Sequence, residues 1–368
     1  MGVTLQDKFF GCIAGVHIGS SMGATVEGWS YQKIMETYGE VNQLRSYEHY
    51  NNGWKRPPGT TEDGVERQKL MITAIIEKQD RVNAEDVKAI WLRDIKPISI
   101  GKVSEPFEAV LLARAKAGIP ARDLGQYCDY AGLNSFARAC HPIGLINAGD
   151  EDWAMRDIFD VGQLYLVDHS IGLQWALVTG VGIAAATRPE ATVDSVIDTI
   201  LKYVAISYSN KQYQKAIEGR RYGVRLRLED ILNATKDCKD YRELRVCFDK
   251  HFGGGGIPYA MASASEVVSK ALCIFRMVKG NTKDAIIAGV NLGRDTDCLA
   301  AVSAGLSGAL SGGSSIPQEW IDQVDKATKE NIYTNSQRTL RETSDGLYSA
   351  FRARMNRNKQ LAETMAKA

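Results

Sequence analysis

No stretch of this sequence approaches the ~20 uninterrupted apolar residues of a membrane-spanning helix, so a membrane protein is not expected. The seven cysteines, at 12, 128, 140, 238, 247, 273 and 298, include no CxxC pair. Several sit inside apolar stretches as small core residues do, a usage that reads as a reducing compartment. The N-terminus has Asp7 and Lys8 ahead of a mixed Gly/Ala-rich segment and lacks a signal-peptide pattern, so a cytoplasmic protein is expected. Net charge is +1 over 368 residues, which argues against a nucleic-acid binder. The basic run 220–227 leads straight into Glu229 and Asp230, as a solvated helix face does. Neither GxxxxGK[ST] nor a strand-linked GxGxxG is present, and Gly253-Gly254-Gly255-Gly256 reads as a plain connection. Ser170, beside His169, has no strand-to-helix elbow around it, so no nucleophile triad is expected. No linker, low-complexity run or solenoid-length repeat divides the chain, and a single domain over 1–368 is expected.

Hydrophobic residues make up 44 percent of the chain, enough for a large core. Apolar positions recur at three- and four-residue intervals over 5–18, 65–76, 84–92, 106–117, 172–186, 193–207, 261–278, 283–291 and 298–310. Strand-like alternation is scarce. An all-α fold follows, a compact multi-helix bundle in which Ala and Gly let helices approach closely. Gly11, Gly15 and Gly19, four apart, suit such a contact.

Two acidic segments open two of these helices. Asn291-Leu292-Gly293-Arg294-Asp295-Thr296-Asp297-Cys298 sets carboxylates two residues apart, and Gly59-Thr60-Thr61-Glu62-Asp63-Gly64 is the second. Aspartates at that spacing diverge inside a regular helix but can converge where a loop turns into one. Carboxylates and hydroxyls suit a hard divalent ion such as magnesium, and neither segment has the His/Cys set that zinc prefers. The alternative is that each is an ordinary helix cap.

The order of these motifs resembles the ADP-ribosylglycohydrolase family over most of the chain. Phe9-Phe10-Gly11-Cys12-Ile13-Ala14-Gly15 through Gly23-Ala24-Thr25-Val26-Glu27 is similar to the family's opening helix and its Gly-Ala-x-x-Glu turn. Thr61-Glu62-Asp63 stands where the family has Thr-Asp-Asp, and 134–144 and His169 match more loosely. In the strongest stretch, 285–320, Gly289 to Asp297 resembles the family's Gly-Gly-Asp-Thr-Asp-Thr signature, followed by an Ala/Gly helix and Ile316-Pro317 before Trp320. The resemblance implies an orthogonal all-α fold with two magnesium ions in a central cleft. Carried over residue by residue, it implies the metal ligands Glu27, Thr61, Glu62, Asp63, Asp295 and Asp297, with Glu62 or Glu27 as the base. The implied reaction is hydrolysis at the anomeric carbon of an N- or O-linked ribose, in a ribose-containing small molecule or an ADP-ribosylated substrate.

Four residues depart from the family pattern. Glu62 replaces an aspartate and carries its carboxylate about 1.5 Å further, Gly64 replaces a threonine, Cys298 replaces the terminal threonine ligand, and Arg294 replaces a glycine. Arg294 brings a permanent charge beside the metals, to neutralise a carboxylate or bind a phosphate. One metal site is therefore expected to be weakened or lost. The alternatives to a hydrolase are transfer or lyase chemistry in the same ribose pocket, or a non-catalytic binding or structural relative. His141, His49, Tyr47, Tyr50 and Trp54 are further candidates for substrate contact.

Overall fold

The computed structural model describes residues 2–48, 53–95, 106–206, 224–252 and 262–367. Gly253 to Gly256, His49, Tyr50 and the basic residues 220–223 lie outside the described residues. Helices run from α1 (Leu5–Gly23) through α2 (Tyr31–Tyr38), α3 (Asp63–Lys78), α4 (Ala84–Asp94), α5 (Pro106–Lys116), α6 (His141–Ile146), α7 (Glu151–Gly162), α8 (Ile171–Ala186) and α9 (Val193–Ile206). They continue with α10 (Val224–Ala234), α11 (Tyr241–Phe252), α12 (Ala264–Met277), α13 (Thr282–Asn291), α14 (Thr296–Ser311), α15 (Gln318–Glu330) and α16 (Leu340–Met365). The sheet found among the described residues is a two-stranded antiparallel ribbon, Tyr47–Glu48 against Lys55–Arg56, with Tyr47 opposite Arg56 and Glu48 opposite Lys55. No described helix is long and apolar enough to cross a membrane. The fold is the all-α class that the helical periodicity implied.

The centre of the bundle is the antiparallel contact of α1 with α14. Glycines every four residues let the two backbones touch. A methyl group on Gly11 would fall 2.2 Å from the carbonyl carbon of Gly312, on Gly15 2.6 Å from the Ala304 oxygen, and on Gly19 2.8 Å from the Ala300 oxygen. At Gly23 it would fall 2.5 Å from Cα of Asp297. The seam thus brings the end of α1 to the mouth of α14, and Thr296 Oγ1 locks it by donating to the Gly23 carbonyl at 2.7 Å. Around it a contiguous apolar core extends from Phe9 to Phe351.

Gly23→Ala is accordingly expected to cost about 1–3 kcal/mol of overpacking strain and to displace Asp297. Urea unfolding checks this: the midpoint falls while the slope stays that of the unaltered chain.

Candidate active site

The turn into α14 is made by two consecutive left-handed residues, Gly293 at φ 76° and Arg294 at φ 71°. Its backbone is stitched to the loop after α1: Gly28 N–H donates to the Arg294 carbonyl and Arg294 N–H donates to the Trp29 carbonyl, both at 2.7 Å. That pairing carries half-buried Glu27 to the same mouth. Asp295 is the residue ahead of the helix and Asp297 lies in its first turn, so the two carboxylates converge at the junction. Asp295 Oδ2 accepts from Asn134 Nδ2 at 2.7 Å. The other oxygens, Oδ1 of Asp295 and Oδ1 of Asp297, are buried without a hydrogen-bond partner.

The mouth of α3 closes on the same spot. Glu62 caps that helix, accepting from the N–H groups of Gly64 at 2.7 Å and Val65 at 3.1 Å, and it also takes the hydroxyl of Ser20 from α1 at 2.5 Å. Asp63 Oδ2 accepts from Arg67 Nη2 and, at 2.5 Å, from Arg138 Nη2. Ligand atoms of Glu62, Asp63 and Asp297 lie within 4.8 Å of one another, as do those of Asp295, Asp297 and Cys298.

Arg138 is the residue that sequence reasoning missed. Its Nη1 reaches Glu62 Oε2 at 3.2 Å, Asp63 Oδ1 and Asp297 Oδ2 at 3.4 Å, and the sulfur of Cys298 at 3.2 Å. A permanent cation therefore stands among three of the carboxylates. Three of the departures from the family pattern surround it. Glu62 and Cys298 touch it, and a Cβ on Gly64 would lie 3.0 Å from its Cδ and Nε, so Gly64 makes its room. Two signals were available: this glycine, and an arginine set inside the apolar stretch Phe136-Ala137-Arg138-Ala139-Cys140.

The other candidates fall elsewhere. Arg294, expected to neutralise a metal-site carboxylate or bind phosphate, lays Nε and Nη2 on Glu266 at 2.7 and 3.0 Å, and Glu266 also takes Lys270 at 2.6 Å. Arg138 lays its guanidinium on carboxylates of both mouths, and Arg67 reaches Asp63 as well. The Thr61 hydroxyl donates to Glu66 and accepts from Lys69, each at 2.9 Å, which commits it to that buried ion pair. The Tyr47 hydroxyl donates to the Thr60 carbonyl at 2.9 Å and so braces the chain ahead of Thr61. His141 is wholly buried and belongs to a polar chain in the core: His17 Nε2 to Gln68 Oε1 at 3.1 Å, and Gln68 Nε2 to His141 Nδ1 at 3.3 Å.

Burial dominates the electrostatics. It pushes the Glu62 carboxyl up to about 8, with the charge of Asp63 adding to the effect and Arg138 opposing it. Asp297 is raised well above the usual carboxylate range by burial and then by Glu27, Asp295 and Glu62. Asp295 is raised by burial first, and Glu27 adds to it. These acids are held where their charge is disfavoured, and two of their oxygens lack partners. A hard cation supplies what both conditions require, so the residues fit a divalent ion on the Asp295–Asp297 side.

Burial pushes both His17 and His141 down to about 3. Between about pH 6.5 and that value the unfolded chain binds protons at these two sites that the folded chain refuses, so each histidine's contribution to stability falls as pH falls, by roughly 1.4 kcal/mol per pH unit, against the opposite slope contributed by the raised carboxyls of Glu62 and Asp297. Denaturant midpoints across pH 4.5 to 6.5 check this. His141→Gln should flatten the slope by nearly one proton relative to the unaltered chain.

These features define an all-α protein with a buried carboxylate site suited to a divalent cation. Residues 1–357 match the model of the ADP-ribosylglycohydrolase family, and the chain belongs to that family. It is 22% identical to the ADP-ribosyl-[dinitrogen reductase] glycohydrolase of Rhodospirillum rubrum, the match covering 90% of this chain and 95% of that one. It is also 22% identical to an uncharacterized protein of Archaeoglobus fulgidus, over 90% of this chain and 96% of the relative. A solved structure described as an ADP-ribosylglycohydrolase-related protein complex shares the fold, with a TM-score of 0.61 at 17% identity over 95% of this chain and 98% of the other.

Proposed function

We propose that this protein hydrolyses an N- or O-ribosyl bond of an ADP-ribosyl-type substrate with the help of one divalent cation, magnesium being the ion that the oxygen donors favour. Family membership supports the reaction class. The observation that carries the rest is the division of the acidic cluster: Asp295 and Asp297 each keep a buried oxygen without a partner, while Glu62 and Asp63 are already paired with Arg138. Asp295 and Asp297 would hold the cation, and Arg138 takes the position of a second one.

A bound cation would orient the ribose hydroxyls and polarise water. The protein's own groups do the remaining work. Glu27 is half-buried at the mouth, where water can reach it, and Glu62 is buried against its cap, Ser20 and Arg138. On that difference in exposure Glu27 takes a proton from the attacking water, and Glu62 positions Arg138. As the bond to the leaving group breaks, positive charge grows on the sugar ring, and the surplus of carboxylates over guanidinium stabilises it. Asn134 keeps Asp295 oriented through its 2.7 Å hydrogen bond.

Titration calorimetry on the full chain tests the reading. One magnesium ion per chain is expected, with ADP-ribose binding more tightly in its presence, and hydrolysis in oxygen-18 water should label the anomeric hydroxyl. No binding of either ligand at millimolar concentration overturns the proposal, and two ions per chain overturn the part assigned to Arg138.

A further inference from the structure

Away from this site, two cysteines lie in contact. Cys238 stands in the turn between α10 and α11, Cys247 lies inside α11, and their sulfurs are 3.4 Å apart. Both are half-buried, while Cys12, Cys140, Cys273 and Cys298 are buried. The turn is fixed ahead of the helix: Cys238 N–H donates to the Thr235 carbonyl at 3.2 Å, Lys239 N–H to Glu243 at 2.7 Å, and the N–H groups of Arg242 and Glu243 to Asp240. A disulfide bond is about 2.0 Å long, so side-chain rotation has to bring the sulfurs only roughly 1.4 Å closer than their 3.4 Å separation.

We propose that Cys238 and Cys247 form a redox modification site that closes to an intramolecular disulfide by exchange with a small disulfide of the glutathione type. One thiol loses its proton to solvent, and its thiolate attacks a sulfur of oxidised glutathione, leaving a mixed disulfide and releasing one glutathione thiolate. The second cysteine, deprotonated in turn, attacks the protein sulfur of that mixed disulfide and expels the second glutathione. Two electrons pass from the cysteine pair to the disulfide of oxidised glutathione, which leaves as two thiolates, and the two protons go to solvent.

The location gives the bond a route to the carboxylate site. On either side of Cys247, Arg245 donates to the Asn291 carbonyl at 2.8 Å and lies over the Tyr31 ring at 4.0 Å, and Asp249 accepts from the Tyr31 hydroxyl at 3.1 Å. α11 thus braces the turn that leads into Asp295, and the crosslink would tie that helix to the turn before it.

The test uses the full-length chain with excess oxidised glutathione at pH 8, followed by acid quenching, alkylation of the remaining thiols and peptide mapping. Alkylation is expected at two fewer than the seven cysteines, with a linked peptide pair through 238 and 247 that is lighter by two hydrogens. Cys247→Ser should stop at a glutathione adduct on Cys238. A lasting glutathione adduct on either cysteine of the unaltered chain, or full alkylation of both after the incubation, overturns the proposal. Neither outcome depends on the hydrolase reading.

Discussion

Arg138→Met is expected to lower the stability of the metal-free protein by about 3–5 kcal/mol, the usual consequence of removing one partner from a buried ion cluster. Arg138 is 6% exposed, and it is shared by Glu62, Asp63 and Asp297. Methionine fills much of the same volume without charge, so the loss reports the unpaired carboxylates rather than a cavity. Magnesium should return part of it. An ion admitted to the vacated position stabilises the folded chain by about 2.7 kcal/mol when present at a hundredfold its dissociation constant, and calorimetry should then count two ions where the unaltered chain takes one. Guanidinium unfolding in chelator and in magnesium measures both effects. Equal stability of variant and unaltered chain in chelator would mean that the carboxylates do not depend on the guanidinium, and the single-cation reading would lose its support.

The importance of Arg138 was hidden in the sequence for a physical reason. The nine stretches with regular apolar spacing all correspond to helices, because their buried faces are written into three- and four-residue intervals. Helices α2, α6, α7, α10, α11, α15 and α16 fall outside those stretches; α15 and α16, for example, are largely polar, with buried faces confined to residues such as Trp320 and Val324, or Leu347 and Phe351. Both acidic mouths were visible as well, since Asp295, Asp297, Glu62 and Asp63 lie beside helix starts and local chemistry marks such positions. Which cation meets them was not visible, because Arg138 comes from a segment some 75 residues from Asp63 and 159 from Asp297, and the pairing exists only after the chain has folded. The same applies to Arg294. Next to Asp295 in sequence, it turns its guanidinium to Glu266 on another helix. Adjacency in the chain pointed to Arg294, whereas the guanidinium laid across Glu62, Asp63 and Asp297 is that of Arg138, for which Gly64 leaves room.

Asp297→Asn is expected to lower hydrolysis by roughly 10²–10⁴-fold, the range seen when a group acting on the developing transition state is removed, and at the same time to make the metal-free protein more stable. Two features of the residue produce the opposite signs. Its Oδ1 is buried without a hydrogen-bond partner, and burial together with Glu27, Asp295 and Glu62 holds its proton affinity far above that of an ordinary carboxylate. An amide of the same shape removes that charge while keeping an oxygen able to accept from Arg138 at the present 3.4 Å contact. The folded chain then no longer bears the cost of a poorly paired buried anion, on the order of 1–3 kcal/mol. The same change takes from the site the oxygen best suited to a divalent cation, so magnesium binding should weaken together with turnover. Asp295→Asn should behave similarly, with a smaller gain in stability because Asn134 already satisfies one of its oxygens. Unfolding in chelator, magnesium calorimetry and turnover on one preparation check all three effects. A variant that loses activity and stability together would mean that Asp297 holds the fold rather than a cation. A variant that keeps full activity would remove Asp297 from the chemistry, and the mouth of α14 would then be an acidic helix cap and nothing more.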